Sequence, residues 1–104
     1  MYEITADALA YANTQSKRLR GMILRPETLV MPGAYDGLTA RLFEAMGFEA
    51  IQCASGGIAA GLGYRDGEVV TLGETLHVSK VIAGAVTVPV NGDGERGYGN
   101  EFEI

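Results

Sequence analysis

Val88-Pro89-Val90-Asn91-Gly92-Asp93-Gly94-Glu95-Arg96-Gly97-Tyr98-Gly99-Asn100 is the stretch whose reading decides the fold. It contains Gly92-x-Gly94-x-x-Gly97, the spacing of the dinucleotide-binding loop, which would make the chain a nucleotide-binding module. Two features reject that reading. The loop needs a following helix whose N-terminus receives a pyrophosphate, and too little chain follows Gly97 before Ile104. The variable positions also hold Asp93 and Glu95, which would repel a pyrophosphate. What remains is a β-branched run passing into two carboxylates one residue apart, among glycines. Side chains at i and i+2 of an extended segment point the same way. If the strand persists that far, Asp93 and Glu95 project together from its carboxyl end and invite a cation. The glycines leave the backbone bare for a metal and a small ligand. The spacing alone suits an acidic turn in water equally well.

At 104 residues and 47% hydrophobic, the chain suits one small globular domain rather than two. The balance of 13 acidic to 8 basic residues gives a net charge of −5. Lys17-Arg18-Leu19-Arg20 is the one basic cluster, so nucleic acid is not an expected partner. The single cysteine, Cys53, excludes an intramolecular disulfide and reads as a small buried residue. Met1 to Asp7 lack the basic and apolar regions of a signal peptide. No apolar run approaches the roughly 18 residues of a membrane span, so no membrane partner and a cytoplasmic address are expected.

Upstream, residues 5–24 read as a leader helix, with Thr5 or Thr14 as N-cap, the basic group in its final turn and Pro26 closing it. Leu29-Val30-Met31 reads as a buried parallel strand ended by a turn at Pro32-Gly33. Asp36 can cap the next helix, where Leu38, Leu42, Phe43 and Met46 recur at helical spacing and Gly47 supplies a left-handed stop. Ala50 to Ala54 is the second strand. It opens into Ser55-Gly56-Gly57, which reads as a plain turn or as a loop aiming backbone N–H groups at an anion. Asp66 lies in the polar loop Tyr64-Arg65-Asp66-Gly67-Glu68 and could face the same site as Asp93. Thr71-x-x-Glu74 is a capping box opening a helix with apolar positions at Leu76, Val78, Val81, Ile82 and Ala85. His77, within it, reads as a surface or packing residue. Thr87 to Val90 is the third strand.

The order β-α-β-α-β over about 28–100 means a parallel sheet with right-handed crossovers. Ligands of such sheets sit beyond the carboxyl ends of the strands, so the loops at 32–36, 55–66 and 91–99 should share one rim.

Leu29-Val30-Met31-Pro32-Gly33-Ala34-Tyr35-Asp36-Gly37-Leu38-Thr39-Ala40-Arg41-Leu42 and Glu44 to Ile51 resemble the amino-terminal part of the isocitrate lyase and phosphoenolpyruvate mutase superfamily. So do Ser55 to Ala60, Leu62 to Asp66, and Val88-Pro89-Val90 through Gly97-Tyr98-Gly99-Asn100. The resemblance spans about residues 17–100. It implies a parallel (β/α)8 barrel of the TIM type, of which this chain carries the first three βα units, and a homo-oligomer, usually a tetramer. It also implies Mg²⁺ and a small 2-oxo acid or phosphonate substrate, whose C–C or P–C bond is cleaved or rearranged through a pyruvate enolate. In the family's Asp-x-Asp-x-Gly-Tyr-Gly pattern, the first Asp falls on Asp93 and the second on Glu95, a longer carboxylate. The aspartate after strand 2 falls on Asp66, completing a metal set of Asp66, Asp93 and Glu95. The backbone holding the substrate carboxylate falls on Ser55, Gly56 and Gly57, with Tyr35 beside them as a further substrate-binding residue.

A full barrel needs roughly 250 residues. The family's acid/base groups, gating loop and carboxylate-binding arginine have no counterpart up to Ile104, so no catalytic residue is assigned. The rival expectation is a truncated, inactive chain that binds metal or only associates with other chains. In either case the strands alone would leave parallel edges and an apolar inner face open to water, and the isolated chain should associate, aggregate or stay partly unfolded.

Overall fold

A computed structural model describes residues 4–67 and 69–99. The elements run α1 (Ala6–Leu24), β1 (Gly33–Ala34), α2 (Gly37–Ala45), β2 (Ile51–Cys53), α3 (Ser55–Gly61), α4 (Leu72–Ala85) and β3 (Val90–Gly92). All strands are parallel, in the order β1-β2-β3. The alternating pattern therefore gives the expected α/β sheet, with strands shorter than the apolar runs suggest and β1 and β3 placed later.

β1 falls on Gly33–Ala34 rather than on Leu29-Val30-Met31, and Val30 is 61% exposed. The pairing explains the shift. Gln52 N–H donates to Pro32 O at 3.0 Å and Ala54 N–H to Ala34 O at 3.0 Å, so the supposed turn residues enter the ladder. A Cβ on Gly33 would lie 2.9 Å from the Ala54 side chain, and only glycine permits that approach. At β3, Thr87 and Val88 are lost from the strand because their donors are taken elsewhere. Thr87 N–H (2.7 Å), Thr87 Oγ1 (3.0 Å) and Val88 N–H (3.1 Å) all donate to Glu44 Oε2 of α2. Pro89 has no N–H, but its carbonyl accepts from Ile51 N–H at 3.0 Å and starts the pairing.

Along β2 the side chains alternate. Ile51 and Cys53 are buried against α2 and α4, in a core with Ala34, Ala40, Ile58, Ile82 and Val86. The opposite face carries the register row Gly33–Gln52–Asn91, in which Asn91 Nδ2 donates to Gln52 Oε1 at 2.8 Å. That face is polar, not the apolar surface expected from the β-branched runs, because Gln52 and Asn91 occupy its out-of-core positions.

Thr5 caps α1, accepting from Ala8 N–H at 3.1 Å. The last turn of α1 holds no basic residue; the cluster sits one turn earlier, where Arg18 Nη1 donates to Thr87 O at 2.9 Å. Gln15 Nε2 donates to the same carbonyl at 2.8 Å. Asp36 and Thr71 open α2 and α4 with reciprocal capping boxes, and Gly47 stops α2 at φ +95°. Of the apolar positions expected on α4, Ile82 is buried while Leu76 and Val81 are 45% and 44% exposed; His77 is exposed. Cys53 is 1% exposed, and burial pushes its thiol pKa up. No helix among the described residues is long and apolar enough to cross a membrane.

Candidate functional site at the carboxyl rim of the sheet

The register fixes where the site lies. Ala34, Cys53 and Gly92 form one cross-strand row, the last of the sheet, so Tyr35, Ala54 and Asp93 leave it at one level. The three loops do share a rim.

Ser55-Gly56-Gly57 differs from the expected loop: it is the first turn of α3. The start of that helix has Ala54 at the cap position and no capping side chain of its own. Asp93, the residue after β3, stands in that place, with the Ser55 hydroxyl and N–H facing its carboxylate. Asp93 Oδ1 also accepts from Glu95 N–H at 2.8 Å. The Ser55 hydroxyl, followed by these N–H groups, holds the Asp93 carboxyl below the usual range. The Ser55 N–H lies toward Asp93, and Gly56 and Gly57 contribute the other N–H groups of a helical first turn.

Asp93 and Glu95 do not project together from an extended strand, because β3 ends at Gly92. The loop folds back, with Glu95 at φ +47°, Gly97 at φ +98° and Tyr98 at φ +60°, and with Gly97 N–H donating to Gly94 O at 2.8 Å. Glu95 nevertheless reaches the rim by another path. It lines a cleft of about 10 Å³, room for about one water, together with Ser55, Asp66, Thr75 and Tyr98. Asp66 is exposed and turns one oxygen to Gly67 N–H at 2.9 Å. Its other oxygen lies 3.4 Å from where a Cβ on Gly56 would stand. The structure thus gathers Asp66, Asp93 and Glu95 around Ser55, each from a different position along the chain or loop. Tyr35 is set apart. A Cβ on Gly57 would meet its side chain at 3.1 Å, but it borders the open groove along α3 and α4 with Leu62, Val78 and Val81.

Among the described residues no three His, Cys, Asp or Glu side chains close into a ready-made metal cage. The donor set is all carboxylate, the type hard divalent cations take, and Mg²⁺ characteristically keeps several waters and uses one or two protein carboxylates. A hydrated ion fits this donor set. Two lining residues had no assignment in the sequence. Tyr98 lay within the Gly97-Tyr98-Gly99 pattern and carried that much signal; Thr75, inside the first turn of α4, carried none.

A parallel α/β sheet that gathers acidic side chains beyond its strand ends has the layout of an α/β enzyme site. The comparisons with known proteins narrow that class. Residues 19–104 match the family model described as phosphoenolpyruvate phosphomutase, and the chain belongs to that family, within the isocitrate lyase and phosphoenolpyruvate mutase superfamily. It is 37% identical over 83 residues to a probable 2-methylisocitrate lyase 2 of Corynebacterium glutamicum, covering 80% of this chain and 27% of that protein. It also resembles the crystal structure of a phosphoenolpyruvate phosphomutase from Streptomyces platensis subsp. rosaceus, with a TM-score of 0.77 and 39% identity over 82% of this chain and 30% of that one. A structure of oxaloacetate acetylhydrolase with the inhibitor 3,3-difluorooxalacetate superposes with a TM-score of 0.76 at 31% identity, covering 83% and 30%. The chain spans about a third of the length of the relatives it matches.

Proposed function

We propose that these residues form the first three βα units of a (β/α)8 barrel enzyme. On this reading the enzyme cleaves or rearranges a C–C or P–C bond of a small 2-oxo acid or phosphonate. The observation that carries the proposal is the gathering of Asp93, Glu95 and Asp66 about Ser55 at the rim. It is supported by relatives named as lyases and phosphomutases. Asp93 would hold a hydrated Mg²⁺, with Glu95 and Asp66 reaching its waters. When bound, the ion would neutralise the oxygen of a developing pyruvate enolate. The N–H groups of Gly56 and Gly57 would hold the substrate carboxylate, and Tyr35 would border it from β1. Acid/base groups are not assigned to this chain.

The test is Asp93→Ala in the protein expressed at the length its gene encodes, assayed on 2-methylisocitrate, 2,3-dimethylmalate and phosphoenolpyruvate, the substrates named for relatives. Loss of Mg²⁺-dependent turnover, with a far-UV spectrum that still reports the overall fold, is the expected result. Full activity would sink the metal assignment. A second reading, a catalytically inactive chain that binds metal or associates with other chains, draws on the absence of a closed three-ligand cage among the described residues. An absence of turnover on all three substrates, with Mg²⁺ binding retained, would favour it.

The same proposal makes the protein a soluble, cytoplasmic homo-oligomer. In the sheet order β1-β2-β3 the outer edges of β1 and β3 have no neighbour among the described residues. Residues 1–104 expressed alone should therefore associate or aggregate. A monodisperse monomer with a cooperative melt and measurable activity, seen by sedimentation and calorimetry, would contradict this.

A further inference from the structure

Thr75 is the only polar or charged side chain among the described residues that is buried, at 7% exposed, and it sits in the first turn of α4 facing the cleft. Its hydroxyl lies 2.9 Å from the Tyr98 hydroxyl, which donates to Glu95 Oε2 at 3.1 Å. A phenol has one proton. Since Tyr98 gives its proton to the carboxylate, its oxygen must accept from Thr75, and the chain runs in one direction, Thr75 to Tyr98 to Glu95. The loop pays a conformational penalty to make these bonds, because Glu95 and Tyr98 are both L-residues held in the left-handed region. Such backbone persists where the surroundings over-determine it. Here they do so from both ends: Asp93 ties the start of the loop to Ser55 of α3, and Tyr98 ties its end to Thr75 of α4. Glu95 has one more rotatable bond than an aspartate would, and hydrogen bonds to one oxygen restrict that freedom.

We infer that Thr75 and Tyr98 are positioning residues: a one-way hydroxyl relay that fixes one oxygen of Glu95 and presents the other to the cation held with Asp93. The inference rests on the cation site proposed above. Hydrogen-bond partners behind a metal carboxylate typically contribute about ten- to a hundredfold in metal affinity, which sets the size of the expected effect.

The experiment measures Mn²⁺ affinity by electron paramagnetic resonance in the protein at its encoded length. Thr75→Val, which keeps the shape and removes the hydroxyl, and Tyr98→Phe should each weaken Mn²⁺ binding by about ten- to a hundredfold. Thr75→Ser, which restores the hydroxyl, should bind as the parent does. The double variant Thr75→Val/Tyr98→Phe should bind no more weakly than Tyr98→Phe alone, since the relay is serial. Ile82→Ala, which destabilises the same helix away from the cleft, should leave the affinity of the folded protein unchanged, separating positioning from stability. Parent-like binding by Thr75→Val, a Thr75→Ser variant as weak as Thr75→Val, or additive losses in the double variant would each overturn the relay and leave the cation site standing. A parent protein that binds no Mn²⁺ would overturn the cation site and the relay together.

Discussion

The starts of α2 and α4 close themselves, whereas the start of α3 is closed from another strand. Asp36 accepts from Thr39 N–H at 2.7 Å and the Thr39 hydroxyl returns to Asp36 N–H at 3.2 Å; Thr71 and Glu74 do the same at 3.1 Å each way. Every partner lies within one turn. At α3 the residue in the cap position is Ala54, and the anion at the helix start is Asp93, from the far side of β2. A self-closed helix start needs only its own segment to fold. A start closed by Asp93 exists only once β3 has docked beside β2, so the α3 terminus and the acidic rim form together. A carboxylate engaged at a helix N-terminus is also held in its charged form, which is the form a cation needs.

The comparison breaks most sharply at Asp93. Asp93→Ala should remove turnover and weaken the start of α3 together, while Asp36→Ala should weaken α2 and leave the rim chemistry in place. The measurement is kcat and KM on the substrates named above, alongside amide exchange at Ser55 and Thr39. Loss of exchange protection at Ser55 without loss of turnover would separate the two roles assigned to Asp93. Acid provides a second handle. Asp36 and Asp93 both have folded-state pKa values lowered by hydrogen bonds, from Thr39 and from Ser55 respectively. A lowered folded pKa adds stability above the unfolded value, near 3.9 for aspartate, and that stability is lost as pH falls through the folded value. Melting temperature should therefore be insensitive to these groups between about pH 5 and 8 and should fall below about pH 4. Asp36→Asn and Asp93→Asn should each flatten that acid limb.

The next largest effect concerns the packed layer that brings β2, β3 and α4 together. Ile82 is fully buried between the sheet and α2, and Ile82→Ala should destabilise by about 2–5 kcal/mol through lost transfer energy and a residual cavity. Because α3 is closed only through the docked sheet, exchange protection at Ser55 should fall with global stability in this variant. The two self-closed starts should lose less of theirs. Chemical denaturation and residue-resolved exchange read both quantities.

Cap removal at α4 is smaller. Thr71→Ala should cost about 1 kcal/mol, the usual value for a threonine N-cap, and should show in the global transition because α4 carries Ile82 and Thr75. A shift much below this would mean that Glu74 alone can hold the turn.

What was legible in the sequence follows the same division. The boxes at Asp36 and Thr71, the stop at Gly47 and the cap at Thr5 are local, and residue type and spacing display them. The parallel sheet was legible from the alternation of runs and turns. The strand positions were not, because Glu44 takes the donors of Thr87 and Val88 from more than forty positions away, and because the close approach of Gly33 to Ala54 is a property of the paired sheet. The helix over Ser55–Gly61 was hidden for a related reason: its glycines argue for a loop, and the carboxylate at its start comes from the loop after β3. Glu95 reaches the rim through a left-handed turn and the Tyr98 hydroxyl rather than along an extended strand, a route that its spacing from Asp93 in the sequence does not display.

The smallest expected effect belongs to a self-closed start on a helix with no buried residue. Thr5 caps α1 as Thr71 caps α4, with the same 3.1 Å bond to a backbone N–H. Yet α1 has no buried residue, and its described polar ties to the sheet run from Gln15 and Arg18 to Thr87 O, well beyond the first turn. Removing a cap from a helix whose first turn is exposed among the described residues lets that turn fray without disturbing the core. Thr5→Ala should accordingly raise amide exchange at Ala8 by a factor matching about 0.5–1 kcal/mol of lost local protection, with the global melting temperature unchanged. A global shift as large as that of Thr71→Ala would mean that the first turn of α1 is docked, and that α1 is coupled to the sheet by more than the hydrogen bonds at Thr87.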